Sequence, residues 1–396
     1  MKKVAFVFDQ VMHYHKELFQ RLDKILPDYG YELVLLSGRD KFAGGRVALK
    51  EKIVQHQIEF DVTQVAVSSF KLRHQHGLAA QIAALRPAVV VTMCHSGTLS
   101  EWQLLRLKKH LNFKLVAWQC GYEYNPGHIK RWVLDKFIPN FDHHLAYHTN
   151  SKQYALKHGA RSDQVTVMHN TINEVAINCL PKQEARRLIE QRHPVLIGKK
   201  IVLFVGAVLE EKRLETVFEA LDLLACPELF FVLVGDGPHL DVIKQKYAHR
   251  NDFIATGRIV DGVGPYFDAA DVFVLPGTGG LAINEAMAHG LAVISGYADG
   301  SADDLVIDGK NGFLLKNGSA EEIADRLNKL FSDPVIAKEM GEAGWEMIRG
   351  PLSFESFIDR IVNVLTEANS STNYGKDADP VFCSPKKDNP QSLGTC

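Results

Sequence analysis

Three short stretches in the second half of the chain combine residue types and spacings suited to holding an anion. In "VFVLPGTGGLAINEAMAHGLAVIS", Val272 to Ser295, an apolar run stops at Pro276 and passes through Gly277, Thr278, Gly279 and Gly280. An Ala-rich helical pattern carrying one acid, Glu285, follows. Glycines after a strand let backbone N–H groups approach a phosphate with no side chain between, and the positive end of the next helix adds attraction. Glu285 falls a little more than one turn into that helix, near enough to the bound end to accept hydrogen bonds from sugar hydroxyls. Set among Ala, Met and Ile, it is costly to bury without such a partner.

In "FVGAVLEEKRLETV" a strand ends at Gly206, and Lys212 and Arg213 follow a short loop at a helix start. Cations beside the positive end of a helix are unfavourable unless an anion lies between them. In "LVGDGPHLD" the trio Gly235, Asp236 and Gly237 makes a tight turn, and Pro238 is suited to opening a helix. There is no GxxxxGK[ST], and no GxGxxG opens the first strand-to-helix turn, so a P-loop and a nicotinamide dehydrogenase are disfavoured.

The front half offers polar side chains at places where strand ends should open on a cleft. His13, Tyr14 and His15 precede Lys16 at the start of a helix, and His95 and Glu123 each follow a strand end. Either of the last two could orient or deprotonate a hydroxyl. Cys120 has no neighbour in sequence that would activate a thiolate and reads as a packed small residue.

The elements that must carry these residues alternate between short Val/Ile/Phe-rich runs and longer amphipathic patterns, the signature of parallel α/β architecture. "KVAFVF", "ELVLLSG", "AVVVTM", "KLVAWQ" and "HHLAYH" read as strands of a first sheet. "KKIVLFVGAV", "LFFVLVGDGP", "DFIATGRI", "DVFVLPG", "LAVISG" and "NGFLLKNG" read as strands of a second. The expected fold is two doubly wound, Rossmann-like α/β domains facing across a cleft, with ligands at the carboxyl ends of the strands. The expected limits are 1–175 for the first domain and 176–350 for the second. A helix over 351–368 packs back across the domains, and 369–396, rich in Ser, Asn, Pro and Lys, is a disordered tail.

At 396 residues, 46% hydrophobic and 23% charged, the chain has the composition of a soluble two-domain protein. No apolar run is long enough to span a membrane, and Asp9 interrupts the N-terminal run before a signal-peptide core is complete. Six cysteines without a CxxC pair suggest a reducing compartment, and the scattered histidines give no spacing for structural zinc. Residues 1–180 hold 23 Lys and Arg against 15 Asp and Glu, whereas the remainder holds 22 against 32. A basic front half suits an anionic substrate or a membrane surface as well as a solvated face. "LLRLKKHLNFK" is a basic, helix-like stretch of the same kind.

In order, "VGAVLEEKRLETVFEAL", "LVGDGP", "TGRI", "FDAADVFVLPGTGGLAINEAMAHGLAVIS", "VIDGKNGFLL" and "EEIADRLNKLFSDP" resemble the donor domain of GT-B glycosyltransferases of family 4, group 1. The resemblance is close over about 140–335 and loose before. It implies retaining transfer of a sugar from a nucleotide-diphosphate donor to a glycan or lipid-linked acceptor in surface polysaccharide biosynthesis. No metal or other cofactor is required, no nucleic acid is a partner, and the setting is the cytoplasm or the inner face of the membrane. Lys212 matches the family's diphosphate-binding lysine. The family's arginine after the first glycine is Ala207 here, which leaves Arg213 to supply a second charge. Backbone amides of Gly279, Gly280 and Leu281 match the diphosphate turn, and the segment at Arg258 matches the edge that reads the nucleobase. Glu285 matches the second acid of an E-x7-E pair, a ribose ligand, while the first acid falls at Gly277. Two other readings accompany this one, a catalytically weakened glycan-binding or scaffold protein and a nucleotide-sugar epimerase or phosphorylase on the same fold.

Overall fold

The computed structural model describes residues 1–39, 49, 51–67, 70–121, 126–296 and 300–366. Glu123 and the tail over 369–396 lie outside these residues.

Strands form where β-branched and aromatic residues run together. They are β1 (Lys2–Phe8), β2 (Tyr31–Gly38), β3 (Gln57–Phe60), β4 (Val62–Val67), β5 (Phe70–Gln75), β6 (Val89–Thr92), β7 (Lys114–Gln119), β8 (His143–Ala146) and β9 (Val165–Val167). Seven of them make a parallel sheet in the order β3-β2-β1-β6-β7-β8-β9, and β4 and β5 form a separate antiparallel hairpin. Successive side chains of β1 serve opposite faces, as a two-sided buried sheet requires. Val4, Phe6 and Phe8 pack with Trp118 on one face, and Ala5 and Val7 pack with Leu78, Ile82 and Leu104 on the other.

The second sheet contains β10 (Lys200–Val205), β11 (Leu229–Val234), β12 (Phe253–Gly257), β13 (Val272–Leu275), β14 (Val293–Ser295) and β15 (Gly312–Leu314). Its order is β12-β11-β10-β13-β14-β15, again all parallel. In both sheets the winding reverses once, between β1 and β6 and between β10 and β13. Loops leaving the two strands on either side of a reversal diverge and leave a crevice at their carboxyl ends.

A strandless linker joins the domains, and specific polar contacts hold it. The Asn284 side-chain amide, buried on the helix Leu281–Ala288, donates to Thr171 Oγ1 at 3.2 Å. The Thr149 N–H donates to Asp304 at 2.8 Å, and His169 Nδ1 lies 3.1 Å from the same carboxylate. The last helix, Phe354–Thr366, lies on the first sheet rather than the second. Phe357, Ile358, Ile361 and Leu365 share a core with Val4, Phe6 and Trp118. Arg21 holds this helix by two hydrogen bonds to Glu355, at 3.0 and 2.8 Å.

Candidate active site

Three loops at the carboxyl ends of β10, β11 and β13 are stitched into one rim. After β10 the Val208 N–H donates to Asp236 O at 3.0 Å, and the His239 N–H returns to Val208 O at 3.1 Å. Gly235 is required there, because its φ of 150° and the carbonyl of Gly206, which a Cβ would overlap, leave no place for a side chain. After β13 the Thr278 N–H donates to Glu211 O at 3.1 Å, and Lys212 Nζ donates to Thr278 O at 2.6 Å.

Gly277 lies under this junction. A Cβ at Gly277 would overlap the Glu211 carbonyl oxygen and crowd the Lys212 backbone. The place where the resembled family carries its first acid is therefore closed to any side chain here by the chain that delivers Lys212.

Beyond the junction, Gly280 caps the helix Leu281–Ala288 in an extended conformation, and no side chain caps that helix. The first N–H groups of a helix have no partner within it, so an anion placed there is stabilised by amides and helix dipole together. The Thr278 hydroxyl next to these amides is buried and has no hydrogen-bond partner among the described residues. Glu285 is half-buried on the same helix and makes no side-chain hydrogen bond among the described residues. Burial pushes its carboxyl above the usual range, partly offset by the charge of His289. A cation, uncapped amides, an unpartnered hydroxyl and an unpartnered acid thus share one turn and the helix that follows.

Not every predicted residue joins them. The backbone at Arg213 is left-handed, with φ 53°, and its guanidinium donates to Asn317 O at 3.0 Å and Gly318 O at 3.1 Å. Its charge is directed at the loop after β15 instead of the glycine turn. Arg258 is exposed just past the end of the edge strand β12. Gly206 directly follows β10 and donates its N–H to Val234 O, which fixes the start of the lysine loop.

On the first domain, the loops leaving β6 and β7 border a cavity of about 370 Å³ that includes His95, Cys94, Cys120, Lys71 and Lys130 in its lining. Neither Lys212 nor Glu285 lines it. His95 is set by a residue that sequence reading passed over. Its N–H donates to both oxygens of Glu101, at 3.2 and 3.1 Å, and Thr92 Oγ1 donates to the same carboxyl at 3.2 Å. Complete burial raises the Glu101 pKa to about 8, the hydrogen bond from His95 opposing. Asp9, at the end of β1, accepts from Arg73 at 2.8 Å and from Gln75 at 2.6 Å, which fastens the β4–β5 hairpin over the strand ends.

His13 and Tyr14 are exposed, but His15 is not. Its ring packs edge-on to Phe8 and Phe19, and its Nδ1 accepts the Met12 N–H at 3.2 Å, a structural task that turns it from the cleft to the core. Cys120 is buried, as expected of a packed small residue.

Residues 186–347 match the family described as "Glycosyl transferases group 1". Over these residues the chain is similar to group 1 glycosyl transferases. Over 170 residues the chain is 32% identical to sulfoquinovosyl transferase SQD2 of Arabidopsis thaliana, covering 41% of this chain and 32% of that one. Over 173 residues it is 30% identical to the lipopolysaccharide core biosynthesis glycosyltransferase LpsE of Rhizobium meliloti (strain 1021), covering 42% and 49%. The chain thus spans between a third and a half of the length of these relatives. The fold as a whole is that of Anabaena HepE in complex with UDP, with a TM-score of 0.74 at 18% identity over 92% of this chain and 100% of that one. Sucrose-phosphate synthase from Thermosynechococcus elongatus gives 0.70 at 18% identity over 93% and 99%. The matched residues thus make up the second half of a GT-B fold, with the uncapped glycine turn at the winding reversal. Among the described residues no helix is long and apolar enough to cross a membrane.

Proposed function

We propose that the protein is a retaining glycosyltransferase. It moves one sugar from a nucleotide-diphosphate donor on the second domain to a glycan or lipid-linked acceptor on the first, in surface polysaccharide or glycolipid synthesis at the cytoplasmic side of a membrane. The observation that carries this reading is the junction of Lys212 with the uncapped turn Thr278–Leu281. A diphosphate there meets an ammonium, unpaired amides and a helix dipole, and the half-buried Glu285 gains ribose hydroxyls as donors. The segment at Arg258 meets the nucleobase. HepE, similar in fold, is described in complex with UDP, and LpsE as a lipopolysaccharide core biosynthesis glycosyltransferase, which supports a nucleotide-sugar donor.

In the reaction the bond from the anomeric carbon to the diphosphate oxygen breaks, and the acceptor oxygen bonds to the same face of that carbon. The acceptor proton passes to the departing diphosphate oxygen, so no strong protein base is needed. His95 orients the acceptor hydroxyl, and Glu123 is the other acceptor-side candidate. Negative charge grows on the leaving group as the bond breaks, and preorganised positive groups lower the barrier there. Lys212 and the helix amides take that role without a divalent metal.

The test is a thermal-shift and transfer screen of uridine and guanosine diphosphate sugars in the presence of a chelator. One donor should raise the unfolding midpoint by mass action. The Lys212→Ala variant should lose both that rise and transfer. A midpoint unmoved by every donor, or transfer that survives in Lys212→Ala, overturns the reading.

A further inference from the structure

The helix that begins at the glycine turn ends on a second cluster, about 12 Å along its axis from the turn and one helical turn beyond Glu285. Cys179 from the interdomain linker, Asp268 from the helix Gly264–Ala269, and His289, which closes the helix Leu281–Ala288, bring one ligand atom each to within 4.8 Å of the others. His289 Nδ1 lies 2.6 Å from Asp268 Oδ1 and 3.6 Å from Cys179 Sγ. The carboxylate and imidazole are buried, while Cys179 is exposed, so the cluster opens to solvent on its thiol side.

The surroundings hold the ligands in place. The second oxygen of Asp268 accepts the Leu180 N–H at 2.9 Å, and the His289 ring stacks on Phe267 with centroids 5.1 Å apart. Such outer contacts orient metal ligands in known sites. Ordinary zinc bond lengths place a thiolate sulfur and an imidazole nitrogen about 3.6 Å apart on a tetrahedral ion, and an imidazole nitrogen and a carboxylate oxygen about 3.4 Å apart. The first separation already exists. The second needs Asp268 Oδ1 to draw back by about 0.8 Å, which exchanges one hydrogen bond for two metal bonds.

We propose that Cys179, Asp268 and His289 form a structural site for a divalent zinc-class ion, with water as fourth ligand, that clamps the interdomain linker to the second domain. On binding, the Cys179 thiol gives its proton to solvent. His289 carries its proton on Nε2 and presents the Nδ1 lone pair, and Asp268 binds as carboxylate. Two ligand charges offset the two of the ion, and no electron is transferred. The spacing along the chain hides the site, since the histidine lies 21 residues from the aspartate and 110 from the cysteine.

The test uses tag-free, chelator-stripped full chain titrated with Co²⁺ and then Zn²⁺. Cobalt should produce a thiolate-to-metal absorption in the near ultraviolet at one ion per chain, zinc should erase it, and zinc should raise the unfolding midpoint. In Cys179→Ser, a change at an exposed position, the absorption should vanish and zinc affinity fall at least tenfold. No thiolate absorption, or a zinc-induced rise of equal size in Cys179→Ser, overturns the proposal and leaves Asp268 and His289 as a buried hydrogen-bonded pair beside an ordinary thiol. Donor binding does not enter the readout, so failure here is separable from failure of the functional reading.

Discussion

Lys212 and Thr278 hold one another's loops. The Lys212 ammonium donates to the Thr278 carbonyl at 2.6 Å, and the Thr278 N–H donates to the carbonyl of Glu211, the residue before Lys212. The cation and the glycine turn therefore move as one body. Lys212→Ala removes both a charge and a strut. Transfer is expected to fall by about 10²–10³-fold in kcat/KM, the range for losing one preorganised charge-stabilising group. Steady-state kinetics with the donor from the screen measures it, and a loss of less than tenfold would remove Lys212 from the site.

Gly277 and Gly280 separate a structural glycine from an accommodating one. A Cβ at Gly277 collides with the Glu211 carbonyl, whereas one at Gly280 meets nothing within 4 Å. Gly277→Ala should cost about 1–3 kcal/mol of overpacking, a fall of roughly 2–12 °C in the unfolding midpoint. Gly280→Ala should unfold close to the parent temperature. Equal midpoints for the two variants would contradict the geometry.

Glu285 has an acid's desolvation without an acid's partner in the ligand-free protein. Glu285→Gln should leave the unfolding midpoint unchanged or raise it, while transfer falls by about 10–100-fold because a hydroxyl acceptor is lost. If midpoint and transfer fall together, Glu285 is a packing residue and its assignment to the ribose fails.

Glu101 makes stability depend on pH. Its folded pKa of about 8 lies above the unfolded value of 4.5, so between these limits the folded chain keeps a proton that the unfolded chain has lost. The contribution is complete below the lower value and disappears as pH rises through the upper one, with a slope of at most about 1.4 kcal/mol per pH unit. Glu101→Gln should flatten this limb. Denaturant midpoints of parent and variant at about pH 6 and about pH 9 decide it, and parallel behaviour of the two proteins would exclude Glu101 as the source.

The doubly wound halves were legible because their strands are buried on both faces and read as unbroken apolar runs, as "LFFVLV" and "DVFVLP" do. The β4–β5 hairpin was not. It is antiparallel with an exposed face, and its mixed residues, such as "FKLRHQ", carry no such run. Lys212 could be placed from sequence because the loop that carries it is short. Arg213, its neighbour, could not, because its own left-handed backbone sends its side chain to another loop. His15 was misjudged because a polar residue near a strand end looks cleft-facing until the core behind it is known, whereas Glu101, on a helix, was passed over. An acid beside Trp102 in "SEWQLL", in the first turn of an amphipathic helix, was the available sign for Glu101.

The last helix has a consequence for how the protein is made. Phe357, Ile358, Ile361 and Leu365 complete the core beside Phe6 and Trp118, so the domain that leaves the ribosome first is the one finished last. Until residue 366 emerges, the first sheet exposes an apolar face where that helix will lie, for the time that synthesis of the second domain takes, roughly tens of seconds at 5–20 residues per second. Such a face is an aggregation hazard in the nascent chain. It is also the reason that a fragment cut at the linker should aggregate instead of folding.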